Sequence, residues 1–277
     1  MKMIIDAFPF FQEIELLKVR LNYLGPTVDK FLISESEIDF AANPKKKILT
    51  PEIVGELPFN NKVVVIQNKF SSLQKSVLFP FAKKIKWRKP LWGIQLKQRN
   101  SIIPTLQQFK SDDILLFGDL DEFPNNGKLE NIKELLSKNP EKIYSFNHKT
   151  LVYNLLTRDG NENWSGTIAC SVKKAITSSP NKLRKQRFSS DFEGDGWHFS
   201  YFGDSKQIQR KIRSVAAVEK QYDLLDPSIE QVINQIRSKR NPFERNYYKK
   251  REIRIEEYPK ELISSFQKFM PCSLTDE

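Results

Sequence analysis

The chain has 277 residues and 32.4 kDa, room for one large or two small domains at roughly 150 residues each. Its 39% hydrophobic and 12% aromatic content, with 10 Gly and 15 Pro, excludes a disordered, collagen-like or low-complexity chain. Two cysteines, Cys170 and Cys272, are too few for a disulfide framework and fit no C-x-x-C pair, and the formal charge of +11 favours an anionic partner: nucleic acid, a nucleotide phosphate or a membrane surface.

Met3 to Asp6 (MIID) is a short apolar strand. AFPF then reads as a proline-containing loop, and Gln12 to Leu24 as a helix, with Ile14, Leu17, Leu21 and Leu24 at helical spacing. Gly25 and Pro26 stop that helix, and Lys30 to Ser36 (KFLISES) is a second strand. Ala42 to Pro58, with three prolines and a triple lysine, reads as a surface loop. Lys62 to Gln67 (KVVVIQ) has the continuous β-branched character of a strand covered on both faces. Trp92 to Phe109 is a helix that Pro104 should kink or divide. Asp113 to Asp119 is a strand ending in a burst of acid, Leu129 to Lys138 a helix, and Lys142 to Phe146 a strand.

Strands alternating with helices predict an α/β fold with a mostly parallel central sheet flanked by helices. Beyond Asn147 the pattern becomes irregular until two further helices, Lys206 to Glu219 and Ser228 to Arg237. No apolar run approaches the ~18 residues of a membrane span, and Asp6 and Pro9 interrupt the start where a secretory leader needs unbroken apolar residues. A cytoplasmic location is the expectation.

Ligands of open α/β sheets bind beyond the carboxyl ends of the strands, where Asp6, Glu35 and Asp119 fall. Asp119 and Asp121 straddle Leu120, so both can face one side of an extended turn and hold a hard divalent ion through oxygen. Repulsion between them in a basic chain is relieved by such an ion, which can bridge a nucleotide diphosphate. Glu122 is either a partner behind that pair or a solvated acid. His148 reads as a surface or hydrogen-bonding residue. His198 sits in Gly194-Asp195-Gly196-Trp197-His198-Phe199-Ser200-Tyr201, where glycines allow close backbone approach and aromatics offer flat surfaces for a sugar or base. It can equally be a core histidine.

In order along the chain, these pieces resemble glycosyltransferase family 17, whose best-known members add the bisecting N-acetylglucosamine to N-glycans. The resemblance runs through Ile5-Asp6-Ala7-Phe8, Glu13 to Leu21, Phe31-Leu32-Ile33-Ser34-Glu35-Ser36, Gln98-Arg99-Asn100, Gly118 to Pro124, Trp164-Ser165-Gly166-Thr167 and Gly196 to Tyr201. It implies a GT-A-like, Rossmann-type catalytic domain over residues 1–220 and inverting transfer from a UDP-sugar. Residues 221–277 then form a helical extension packed on that domain or contributing to acceptor binding. The resemblance also implies Mn or Mg on Asp119, Asp121 and His198, and a nucleotide in contact with Asp6, Phe8, Glu35, Arg99 and Asp119. The partners it implies are a nucleotide-sugar and a glycan or glycolipid acceptor; the basic charge adds peripheral membrane-surface contact as an expectation, and without a recognition motif no specific nucleic acid is expected.

Asp195, flanked by two glycines, three residues from His198 and near Asp191 and Glu193, is placed first as the general base, with Glu122 and Glu219 next. Two other functions compete. A haloacid-dehalogenase-like phosphohydrolase also carries D-x-D after an apolar strand, but Glu122 and Phe123 stand where its motif continues differently. A nucleic-acid-binding module would use the basic segments Lys83 to Lys89, Lys182 to Arg187 and Arg245 to Arg254, yet no recognition motif accompanies them.

Overall fold

In the computed structural model, which describes residues 2–85, 88–189, 191–219, 228–238, 250–252 and 254–274, the first half of the chain winds four parallel strands. β1 (Ile4–Phe10) leads through α1 (Ile14–Leu24) into β2 (Lys30–Ser36), and α2 (Pro51–Gly55) precedes β3 (Val63–Asn68). Next come α3 (Phe79–Lys84), α4 (Arg88–Asn100) and α5 (Ile103–Leu106), then β4 (Ile114–Phe117). The second half is β5 (Glu122–Pro124), α6 (Leu129–Lys138), β6 (Tyr144–Val152), β7 (Thr157–Ser171), α7 (Val172–Ser178), α8 (Pro180–Arg184), β8 (Asp191–Ser200), α9 (Ser205–Glu219), α10 (Ile229–Arg237), β9 (Lys250–Glu252) and α11 (Lys260–Phe269).

Among the described residues, nine strands make one sheet in the order β3-β2-β1-β4-β7-β6-β8-β5, with β9 on β7. β3, β2, β1 and β4 are parallel neighbours. β7 runs antiparallel to both β4 and β6, β8 is parallel to β6, and β5 is antiparallel to β8. The fold is therefore α/β with a large central sheet flanked by helices. Parallel pairing holds throughout the first half, and the irregular second half consists of long strands of mixed direction. β7 begins with the polar run TRDGNEN, poor in strand-forming residues. Pairing with β6 and β9 supplies the order that its composition lacks.

Successive strand residues alternate between two apolar layers. Ile4, Phe8, Phe31, Ile33, Ile114 and Leu116 meet α1, α6 and α11 on one side. Ile5, Ala7, Leu32, Leu115, Phe117 and Ile168 meet α5, α7 and α8 on the other. AFPF is not a loop: it completes β1. Pro9 lies past Ala7, the last β1 residue paired with β4, where one flank of the strand is open and a missing N–H costs little. The stretch read as a surface loop before β3 carries α2, capped by Thr50 Oγ1 accepting from Ile53 N, and buries Leu49 and Leu57. Pro104 divides the long helix as expected, entering at the start of α5.

Within residues 221–277, α11 buries Leu262 and Phe266 in the main core, and Asn22 on α1 donates to Ser265 Oγ (2.9 Å). Residues 220–227, 239–249 and 253 lie outside the described residues, and with them most of the basic segment Arg245 to Arg254. No helix among the described residues is long and apolar enough to cross a membrane.

Candidate functional site

The turn after β4 is held from beneath by a buried arginine. Arg20 projects from α1 and is fully buried. Its Nε and Nη2 donate to the two oxygens of Asp6 on β1, both at 2.8 Å. Nη1 donates to the carbonyls of Asp119 (3.3 Å), Leu120 (3.1 Å) and Glu122 (2.6 Å). Asp6 neutralises the guanidinium, and the fork of donors fixes the backbone that carries the acidic residues. The rings of Phe8 and Phe123 stack near the same guanidinium.

Above that bracket, acids and cations interlock. Asp119 accepts from Arg99 (3.0 and 3.1 Å) and Arg184 (2.7 Å). Asp121 accepts from Lys211 Nζ (2.8 Å), which also lies 3.2 Å from Glu13. Glu122 accepts from Arg184 at 2.6 and 2.7 Å, from Trp164 Nε1 (2.6 Å) and from the Asp119 amide (2.9 Å). Burial alone would raise the Asp121 carboxyl, but the Lys211 ammonium and His198 outweigh it and hold it below the usual range. Arg184 does the same for Glu122. Burial opposes the charge on Lys211 and on Arg184, and their carboxylate partners push both upward instead. Asp121, Glu122, Arg184 and Lys211 are therefore charged at neutral pH.

This layer opens into a cleft at the carboxyl ends of β1, β2 and β4. Phe10, Phe11, Ile38 and Phe40 supply apolar walls, and Lys45, Arg99, Asp119, Asp121 and Lys211 the charge. His198 stacks on Trp164 with ring centroids 5.3 Å apart, and its Nε2 stands 3.6 Å from Asp121 Oδ2, close enough for one cation to touch both. Among the described residues no three His, Cys, Asp or Glu side chains gather as a ready metal cluster. Asp121 and His198 thus fit a divalent ion, provided a ligand oxygen completes its shell and Lys211 yields. Asp119 does not fit, because two arginines claim its oxygens.

Several sequence expectations need correction. Asp6 and Phe8 are fully buried and serve the Arg20 bracket, so they position the site without lining the cleft. Glu35 is buried too: it accepts from Lys45 Nζ, the amides of Ile48 and Leu49 and Gln67 Nε2, and so pins the loop that brings Lys45 to the cleft. Glu122, 1% exposed and saturated by donors, is not placed to take a proton. Asp195 lies three residues before His198 on a regular stretch of β8, so it faces the opposite side of the sheet. There it accepts from Asn125 Nδ2 (2.7 Å). The side chains of Asp191, Glu193 and Glu219 are outside what the structure describes. Arg99 and Asp121 both line the cleft.

Glu13, Arg20, Arg184 and Lys211 were missed as functional residues. Lys211 carried a usable signal, since it falls three residues after Ile208 and four before Val215, on the apolar face of α9. Arg184 was hidden in the run Lys182 to Arg187, which reads as solvated charge.

His148 is neither on the surface nor hydrogen-bonded. It is fully buried, both ring nitrogens lack a partner, and its ring fills the space a Cβ would need at Gly166 or Gly196. Burial pushes its pKa down to about 3. Between pH 6.5 and about 3 the unfolded chain therefore binds a proton that the folded chain refuses, and stability falls as pH falls. The expected slope from this residue is about 1.4 kcal/mol per pH unit. Denaturant titrations across that window should show a shallower slope in His148→Asn by one proton; an unchanged slope would mean that His148 titrates normally in the fold.

The cleft thus lies at the carboxyl ends of parallel strands, where α/β sheets receive their ligands, with carboxylates and cations lining it. Residues 1–240 match glycosyltransferase family 17. The chain belongs to that family and is a glycosyltransferase, which sets aside the phosphohydrolase reading. A search of curated proteins finds no match. Among solved structures, similarity extends to a 4-diphosphocytidyl-2C-methyl-D-erythritol synthase, at 12% identity over 71% of this chain and 90% of that one, with a TM-score of 0.40. A mannose-6-phosphate isomerase from Helicobacter pylori is 10% identical over 70% of this chain and 86% of that one, with a TM-score of 0.38.

Proposed function

We propose that the chain is an inverting GT-A-type transferase that moves a sugar from a UDP-sugar to a hydroxyl of a saccharide or glycoconjugate, with N-acetylglucosamine the first donor to test. The observation that carries this is the cleft itself. Apolar walls that suit a base adjoin a charged floor where Arg99, Lys45 and Lys211 can receive a diphosphate. Inversion and the choice of UDP rest on the family resemblance.

Asp121 and His198 are the residues that would hold Mn or Mg, which supplies positive charge beside the departing diphosphate. Lys211 has two carboxylates within 3.2 Å and can shift its ammonium from Asp121 toward a phosphate without leaving Glu13. Arg99 stays tied to Asp119 and to Gln95, and its side chain lines the cleft beside Lys211. Both cations thereby stabilise charge that grows as the glycosidic bond to the nucleotide breaks.

Lys211→Met is expected to weaken UDP binding about 10- to 100-fold, the range for one hydrogen bond to a charged group. Uridine lacks the phosphates, so its affinity should hardly change. Calorimetry with both ligands on both proteins checks this. Equal losses for uridine and UDP would place Lys211 outside the diphosphate site.

A further inference from the structure

We propose that α3, α4 and the helical turn before them form a docking face for an anionic lipid bilayer. Leu73, Val77, Phe81 and Ile85 recur every four residues and are 69%, 55%, 53% and 53% exposed. Residues between them turn inward: Phe79 and Ala82 are buried, and Phe79 packs with Ile38, Phe70, Leu91 and Ile94. Trp92 and Leu96, 41% and 45% exposed, continue the outward face on α4. Six of the seven large exposed hydrophobic side chains among the described residues therefore lie on this one helical unit. Soluble surfaces seldom cluster apolar side chains in that way without a partner.

Charge identifies the partner. From Lys69 to Ser111 the sequence contains ten lysines and arginines and no acid, nearly the whole net charge of +11. A second copy of the chain seated on this face would oppose two such basic segments. A nucleic acid would use the lysines but leave Leu73, Val77 and Ile85 exposed, since aliphatic side chains offer bases no stacking surface. An anionic bilayer takes both features: apolar side chains enter the acyl boundary, and exposed lysines such as Lys84 and Lys89 meet the headgroup phosphates.

The face adjoins the cleft. Trp92 and Arg99 are seven residues apart, two turns along one side of α4, and Arg99 lines the cleft. If the transferase reading above holds, as this last step requires, the acceptor hydroxyl belongs to a glycan carried on a lipid in that bilayer.

The test is co-sedimentation of the full chain with vesicles of phosphatidylcholine alone and of phosphatidylcholine mixed with phosphatidylglycerol. The chain should partition onto the mixed vesicles, and the double variant Val77→Asp/Phe81→Asp should lose about tenfold or more of that partitioning. Its circular dichroism and UDP affinity should match wild type, since neither residue touches the core or the cleft. Equal partitioning of variant and wild type, or no preference for anionic vesicles, would overturn the proposal. So would a dimer in sedimentation equilibrium that the double variant dissolves, because it would give the face to a second copy. Vesicle binding without UDP binding would support this face and count against the transferase reading alone.

Discussion

Arg20→Met is expected to lower the unfolding free energy by about 3–5 kcal/mol, the cost of removing one partner from a buried ion pair. Two consequences follow from its contacts. Asp6, with no exposure, is left as an uncompensated carboxylate in the core. The carbonyls of Asp119, Leu120 and Glu122 lose their common donor, so the acidic turn loses the backbone restraint that aims it. Urea denaturation measures the first effect and UDP binding the second. Adding Asp6→Leu should recover part of the stability, because the charge left behind is removed, but not the UDP affinity, because the turn remains unheld. Stability within about 1 kcal/mol of wild type, as for an ordinary surface change, would mean that Arg20 does not bracket the site.

The acidic turn was legible because an apolar strand, ILLF, runs directly into Asp119 and Asp121, and strand ends are where such sheets bind ligands. The three parallel strands before it were legible for the same reason: continuous apolar runs bounded by helix signals. Arg20 was not, because within an amphipathic helix a lone arginine looks solvated until the helix is docked and its inner face is known. Arg184 was hidden by the lysines around it. The error over Asp195 has a definite origin. Three residues separate it from His198, a spacing that joins side chains on a helix and parts them on a strand, and the glycine-rich segment gave no sign that it was β8. Polar β7 was obscure in the same way, since its place in the sheet comes from β6 and β9 rather than from its own residues. The exposed helical face before α4 went unread because its apolar spacing resembles that of a core helix until burial shows which side faces outward.

Asp121→Asn is expected to lower sugar transfer by about 10²-fold or more, the scale for losing one charged group from an electrostatically arranged site. The change keeps the volume of the side chain and removes the charge that draws Lys211 and His198 together. Lys211 retains Glu13, and Arg20 still holds the turn, so the fold should persist. The decisive measurement gives wild type and Asp121→Asn a panel of UDP-sugars with Mn or Mg and saccharide or glycolipid acceptors. Mass spectrometry then follows UDP release and acceptor mass together. The predicted result is equimolar UDP and extended acceptor from wild type, with at least a 10²-fold slower reaction from a variant whose unfolding transition is intact. Equal rates in the two proteins, or wild type that extends no acceptor while binding no UDP, would contradict it.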